Sequence, residues 1–269
     1  MTPIAVTIAG SDSGGGAGIA GDLKTFSALG VYGACVVTAL TAQNTNGVSA
    51  IHDVPADFVA AQIDAVFSDL DVGAVKIGML SQGAVIRAVA AGLDLWRQTK
   101  VVLDPVLVAS SGHRLMDPAA LDILKQALIP RALVLTPNLP EAAALLGAAP
   151  AENEAAMLAQ ARGLLALGAK TVVLKGGHAS GAESVDLLVD HNGAVALPSR
   201  RIASGNTHGT GCALSAAIAA GLAKGISVEA AVRAAKQYVH AAISAADALH
   251  IGSGCGPIHH FHSVWPRSD

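Results

Sequence analysis

Aromatic residues are scarce in this chain: 3% of 269 positions, with two Trp, two Tyr and four Phe. Charge is scarce as well, at 14% of residues, and the balance is slightly acidic at -3. A nucleic-acid binder needs basic patches or aromatic stacking surfaces, and this chain offers neither. The three cysteines, Cys35, Cys212 and Cys255, lie far apart and form no CxxC pair. That pattern excludes a disulfide framework and fits a reducing compartment, where a special cysteine acts as a thiol. Long apolar runs are also missing. The most hydrophobic uncharged stretch, Cys212–Ala223, is mostly Ala and spans 12 residues. A bilayer crossing takes about 20, so this stretch reads as a buried helix. Met1–Gly10 shows no basic n-region or cleavage pattern, and a soluble, cytoplasmic protein without membrane contact is expected.

Apolar residues make up 52% of the chain, chiefly Ala, Val, Leu and Ile, alongside 29 glycines. That is ample for a large core and excludes disorder. Short β-branched runs alternate with Ala/Leu-rich helical segments. Strands are read at Ile4–Ala9, Ala34–Leu40, Ala74–Ile77, Val101–Leu103, Leu133–Leu135 and Thr171–Leu174, with a hairpin formed by Ser184–Val189 and Ala194–Leu197. Helices are read near Gly18–Leu29, Pro55–Ser68, Gln82–Gln98, Pro118–Ile129, Leu139–Leu146 and Glu152–Leu167. Two more, His208–Lys224 and Val228–Ala248, close the chain. Strands apolar throughout and interleaved with helices predict an α/β fold whose mainly parallel sheet is covered on both faces. No linker or composition shift divides it, so one domain over residues 1–269 is expected.

Ligands of such sheets bind outside the carboxyl ends of the strands, and informative residues follow each predicted strand. Gly10–Gly18 follows the first, Thr41–Thr45 the second, Gly78-Met79-Leu80 the third and Asp104-Pro105 the fourth. Thr136–Glu141 and Lys175–His178 follow the next two. Gly16–Gly21 is a literal GxGxxG, but it starts about six residues after the strand, too far for the tight dinucleotide-binding turn. No acidic residue ends the next strand, and no GxxxxGK[ST] loop is present.

Asn206–Cys212 (NTHGTGC) opens directly into a helix. Glycines there let backbone amides converge on an anion at the helix N-terminus; simple capping by Asn206 or Thr207 is the plainer alternative. Cys212 falls in the first turn, where the helix field lowers a thiol pKa and makes a base plausible; a small core residue is the alternative. Asp104 and Glu141, with Asn138, could hold Mg²⁺ largely through waters, or serve as caps and ion-pair partners. Lys175 before two glycines can reach a phosphate. Asp12, Asp22, Gln43 and Met79 border the other half of the crevice, and the Gln43 amide can read paired donors and acceptors on a heterocycle. The ending GPIHHFH, Gly256–His262, looks like a metal cluster, yet it lacks a nearby Cys or acidic partner and reads as packing or surface.

In order, IAGSDSGGGAGIAGDLKTF (Ile8–Phe26), TALTAQNT (Thr38–Thr45), KIGML (Lys76–Leu80), VLDPV (Val102–Val106), LTPNLPEAAA (Leu135–Ala144), LKGGH (Leu174–His178), NTHGTGCALSAA (Asn206–Ala217) and GPIHHFH cover nearly the whole chain. Together they resemble the hydroxymethylpyrimidine/phosphomethylpyrimidine kinases of thiamine biosynthesis, a branch of the ribokinase-like superfamily. The resemblance implies a three-layer αβα sandwich and two successive phosphoryl transfers from MgATP. The first goes to the hydroxymethyl oxygen of 4-amino-5-hydroxymethyl-2-methylpyrimidine and the second to the resulting monophosphate. It also implies that Gln43 bonds the aminopyrimidine in a pocket formed with Ala17, Asp22 and Met79. Gly209, Thr210 and Gly211 would form the anion hole, with Thr207 beside them on the nucleotide side. Lys175 would contact ATP phosphates, Asp104 and Glu141 would be the magnesium-side carboxylates, and Cys212 would stand where the superfamily usually carries an aspartate base. A homodimer is implied as well. Ser11–Gly18 reads SDSGGGAG where the family usually has SDPSGGAG; the missing proline predicts a looser loop. A pyridoxal or pyridoxine kinase, a non-catalytic pyrimidine sensor and a nicotinamide-dependent oxidoreductase are the competing readings.

Overall fold

Small and branched apolar residues alternate along the short strands and decide how the chain layers. The structure is a computed structural model that describes residues 1–108, 112, 115–178 and 181–265. In β1 (Ile4–Gly10), Ala5 packs toward one side while Val6 and Ile8 pack toward the other. β4 (Ala74–Ile77), β5 (Val101–Leu103), β6 (Val134–Leu135) and β7 (Thr171–Leu174) repeat the split. Ala74, Val102, Val134 and Val173 face one layer; Ile77, Leu103, Leu135 and Leu174 face the other. Successive side chains point to opposite faces of a sheet, so strands apolar throughout must be covered twice.

The cover comes from eight α-helices among the described residues. α1 (Gly18–Ala28), α7 (Thr210–Ala223) and α8 (Val228–Ser244) form the first layer through Phe26, Ile218 and Val232. α2 (Ala56–Phe67), α3 (Gly83–Leu95), α4 (Ala120–Ala127), α5 (Leu139–Leu146) and α6 (Glu154–Ala166) form the second. Ala213–Leu222 is buried throughout, as read for that Ala-rich stretch, because α7 is wedged between the sheet and α8. A Cβ on Gly221 would come within 2.8 Å of Ala231 Cβ, which is why small residues are needed there. No described helix is long and apolar enough to cross a membrane.

With β2 (Tyr32–Asn44), β3 (Gly47–Asp53), β8 (Glu183–Asp190) and β9 (Ala194–Arg200), the described strands make one nine-stranded sheet. Its order is β3-β2-β1-β4-β5-β6-β7-β8-β9. Pairing is parallel from β2 through β7 and antiparallel only at the two margins. The chain moves outward in both directions from β1, so a topological switch point opens at the carboxyl ends of β1 and β4.

One region departs from the sequence reading. Thr41–Asn44 was expected as a turn after the second strand; it is the end of β2, which turns through Thr45 and Asn46 into β3. β3 itself was not foreseen. It is an edge strand with no fully buried residue, so its sequence carries no inward-facing apolar alternation. The predicted final helix also ends earlier, at Ser244, with a 3₁₀ turn over Ala246–Ala248.

Candidate active site

Several inner parallel strands deliver a polar residue just past their carboxyl ends, and the site is built from these. Asp104 follows β5 and is 1% exposed. Its Oδ1 accepts from Lys175 Nζ at 2.9 Å and Thr136 Oγ1 at 3.2 Å, and its Oδ2 from Ser215 Oγ at 3.2 Å. Burial works against ionisation of Asp104, yet the Lys175 and Lys76 ammoniums outweigh it and hold the carboxyl below its ordinary range. Lys175 also lies 3.8 Å from Glu141 Oε2. Burial disfavours its charge, but the two carboxylates reverse that and raise its pKa. Glu141 is pushed up to about 7 by burial, with Lys175 opposing and Asp104 adding to the rise. It closes a capping box on α5: its Oε2 accepts from the Asn138 amide at 2.7 Å, and Asn138 Oδ1 accepts from the Glu141 amide at 2.8 Å.

The predicted anion loop lies directly against this ion pair. A Cβ on Gly211 would be 3.2 Å from Lys175 Nζ and 3.8 Å from Asp104 Oδ2. Gly209 caps α7 at φ +82, and a Cβ there would meet Gly16 O at 2.0 Å. Only glycine satisfies both demands, and the contact presses the anion loop onto the glycine-rich segment after β1. Thr210 N–H is bonded to Thr207 O and Ala213 N–H to Gly209 O. The amides of Gly211 and Cys212 are thus the first-turn donors left for an anion. Thr207 is exposed, its Oγ1 3.7 Å from Cys255 Sγ.

Two expectations need correction here. Cys212 was read as a thiol acidified by the helix field; burial instead pushes it up to about 11. Lys76 and the Gly18 amide oppose that rise, while Asp22 and Asp104 reinforce it. The helix N-terminus is outweighed because the thiol is desolvated beside carboxylates. Asp22 was read as bordering an open substrate pocket; it is fully buried, accepting from Thr7 Oγ1 at 2.6 Å and Lys76 Nζ at 2.7 Å. Lys76 was overlooked. Its signal was a lone charge inside the apolar strand AVKI.

On the other half of the crevice, Asp12 organises the glycine-rich segment. Its carboxylate accepts from the amides of Gly14, Gly16 and Ala17 at 2.8, 3.1 and 2.8 Å and pairs with His208 Nε2 at 2.8 Å. These bonds gather the segment around one carboxylate. His208, from the anion loop, also lies 3.4 Å from Gln43 Nε2, so it bridges the two halves; sequence reasoning had assigned it no role. Gln43 is held from the other side by Thr41 Oγ1 at 3.2 Å. Met79 is 7% exposed, with its carbonyl fixed by Thr38 Oγ1 at 2.9 Å, and a Cβ on Gly10 would meet its sulfur at 2.9 Å. An open cavity of about 490 Å³ flanks the hairpin, lined by Ser13, Gln43, Asn44, Asn46, Val48 and Ser49 among others. Gln43 is the one predicted site residue it includes.

The histidine-rich ending packs, as read. His260 is 4% exposed, contacts Thr25 Oγ1 through Nδ1 at 3.1 Å, and has its pKa lowered by burial to about 4. His208 N–H bonds Gly256 O and Ile258 N–H bonds His208 O, so this segment braces the anion loop. Among the described residues no three His, Cys, Asp or Glu side chains are grouped to hold a metal unaided. Asp104 and Glu141 nevertheless fit Mg²⁺, which takes one or two carboxylates and keeps several waters.

A parallel sheet whose switch-point crevice combines a glycine-rich helix N-terminus, a half-buried lysine and two carboxylates defines a phosphotransferase of the ribokinase-like type. The profile of the family described as phosphomethylpyrimidine kinase matches residues 12–259. A hydroxymethylpyrimidine/phosphomethylpyrimidine kinase from Rhizobium meliloti is 60% identical over 265 residues, covering 98% of this chain and 99% of that one. A thiamine biosynthesis bifunctional protein from Geobacter sulfurreducens is 52% identical over 255 residues, 95% of this chain and 51% of its own length. An ADP complex of Bacillus subtilis pyridoxal kinase superposes with TM-score 0.89 at 36% identity, covering 98% of this chain and 99% of that one. The chain belongs to the phosphomethylpyrimidine kinase family.

The raised Glu141 pKa sets a test. Between the ordinary 4.5 and about 7, the folded protein holds a proton on Glu141 that the unfolded chain has released. This contribution to stability is complete below about 4.5 and is lost as pH rises through about 7. Glu141→Gln keeps an acceptor for the Asn138 amide and removes the titration. In denaturant unfolding, the stability of the variant relative to wild type should rise across that interval; a pH-independent difference would contradict the assignment.

Proposed function

We propose that the chain transfers a phosphoryl group from ATP to the hydroxymethyl oxygen of 4-amino-5-hydroxymethyl-2-methylpyrimidine and then a second one to the monophosphate, supplying thiamine biosynthesis. The observation that carries this reading is the meeting of two halves at Gly209–Gly16: the anion loop with Lys175 and Asp104 on one side, Gln43 and the Asp12-pinned segment on the other. The full-length likeness to a kinase with that name supports the substrate, and the ADP-bound pyridoxal kinase supports an adenine nucleotide as donor. The bifunctional thiamine protein supports the pathway. We extend the reading to residues 1–269 acting as one domain, supported by the single continuous sheet, and to a cytoplasmic homodimer, carried by the family resemblance.

Phosphoryl transfer asks a protein mainly for positioning and charge neutralisation. Gln43, anchored by Thr41, presents an amide to the aminopyrimidine edge, while Ala17 and Met79 enclose the ring. Lys175 and the Gly211 and Cys212 amides face the transferring group and stabilise the charge that develops on it. Asp104 and Glu141 would hold Mg²⁺ through waters, and when bound that ion neutralises phosphate charge. In the first transfer the Cys212 thiol first gives its own proton to solvent; the substrate O–H bond then breaks, its oxygen bonds phosphorus, ADP departs with the old P–O pair, and the hydroxyl proton passes to the Cys212 thiolate. The second acceptor is a phosphate oxygen already ionised near neutral pH, which needs no base.

Cys212→Ala should therefore slow the first phosphorylation by about 10²-fold or more and the second far less, with each step followed separately by product mass. Equal losses in both steps would reduce Cys212 to shaping the anion loop. For Gln43→Ala, the KM for the pyrimidine should rise roughly tenfold or more, the effect of losing paired hydrogen bonds worth about 1.4 kcal/mol or above. The KM for ATP should hold; an unchanged pyrimidine KM would remove Gln43 from the binding site.

A further inference from the structure

The turn that carries Lys175 is held from behind by an ion pair that the mechanism above does not use. Lys236 of α8 places Nζ 2.6 Å from Asp186 Oδ2 and 3.3 Å from the Ser184 carbonyl of β8, and both charged side chains are largely buried. The other carboxylate oxygen, Asp186 Oδ1, accepts the Gly176 amide at 2.8 Å, and Gly176 follows Lys175 directly. On the opposite side the Lys175 amide donates to Pro137 O at 2.9 Å, and Lys175 bridges to Asn138, the residue that caps α5. Two successive amides are thus tied to opposite walls, one to the loop after β6 and one to β8. Steric fit tightens the second tie: a Cβ on Gly176 would overlap Val185 O, so glycine is required for the turn to lie this close to β8. An apolar pair of the same shape would often be as stable as a buried ion pair, so stability alone explains these charges poorly. A carboxylate is, however, a stronger acceptor for a backbone amide than a neutral group, and an ammonium on its second oxygen fixes which way it faces.

We propose that Asp186, oriented by Lys236, is a positioning residue for the nucleotide half of the site: it fixes the Lys175–Gly176 peptide, and with it the point from which the Lys175 ammonium meets the donor phosphates. The proposal rests on the reading that Lys175 faces those phosphates. Asp186 and Lys236 act through the turn and touch neither substrate. Lys175 Nζ lies 2.9 Å from Asp104 Oδ1 and 3.8 Å from Glu141 Oε2, and a long side chain keeps one such position only while its backbone is fixed. The ring half is anchored elsewhere, through Asp12, His208 and Thr41. Loosening the turn therefore weakens the hold on the nucleotide and leaves the hold on the ring intact, a division that a merely structural ion pair would not produce.

The test uses the full chain and titrates the non-hydrolysable ATP analogue AMP-PNP with Mg²⁺, beside steady-state kinetics, at a temperature where circular dichroism shows each variant folded. Asp186→Ala removes the acceptor for Gly176. Analogue affinity and kcat should each fall roughly tenfold, within the about 10²-fold that a misplacement of about 1 Å can cost, while the pyrimidine KM holds. Asp186→Asn keeps an oxygen for the Gly176 amide and should recover most of both losses. If Asp186→Ala fails to fold, the double variant Asp186→Leu with Lys236→Met, which leaves no unpaired charge, should show the same loss on the nucleotide side. Unchanged affinity and kcat with only a lower unfolding midpoint would overturn the proposal, as would a loss that Asp186→Asn does not recover or that the pyrimidine KM shares equally. Lys175→Ala separates the two layers of the argument. Undiminished analogue binding in that variant would refute the reading of Lys175 and the proposal with it; a loss there without one in Asp186→Ala would refute the positioning alone.

Discussion

Charges removed from water persist only when paired, and the carboxyl edge of this sheet carries a run of them. Thr7, Asp22 and Lys76 make one linked set, and Asp104, Lys175 and Glu141 make a second. Each charge comes from a different element: α1, β4, and the residues following β5 and β7, closing on α5 and α7. The parallel sheet makes that possible. It aligns several strand ends at one edge while its two helical layers keep water from the flanks. Loss of Asp22 or Lys76 would leave the other buried and uncompensated, so the crevice and the local fold depend on the same contacts.

The second constraint is steric. Gly209 and Gly16 bring two loops so close that no side chain fits between them. This contact unites the phosphate half of the crevice with the ring-binding half, and His208 reinforces it by pairing with Asp12 and approaching Gln43. The histidine-rich ending braces the same loop from behind. In the proposed function this holds a ring and a phosphoryl donor across a few residues of backbone, which is the positioning that phosphoryl transfer demands. The likeness to an ADP-bound pyridoxal kinase fits the proposed division into a nucleotide half and a ring half.

The layered core was legible in the sequence because strands such as VVL and the VVL of TVVL are apolar on both faces and the helices between them are rich in Ala and Leu. Residues placed just after strands, Asp104 and Lys175 among them, were legible for the same reason. β3 was hidden, since an exposed edge strand needs no apolar period, and the polar end of β2 mimicked a turn. The fate of Asp22 was hidden too: its partner Lys76 is 54 positions away and neither residue's pattern announces the other. Cys212 was misjudged in sign because a local argument about a helix terminus could not anticipate burial beside Asp22 and Asp104. His208 was passed over because its partners Asp12 and Gln43 are distant in sequence.

Incubating the wild-type chain with MgATP and 4-amino-5-hydroxymethyl-2-methylpyrimidine, and resolving products by mass over time, tests the central claim most directly. The account predicts a monophosphate that rises and is then consumed as the diphosphate accumulates. A product that stops at the monophosphate, or phosphorylation of pyridoxal with none of the pyrimidine, would contradict it.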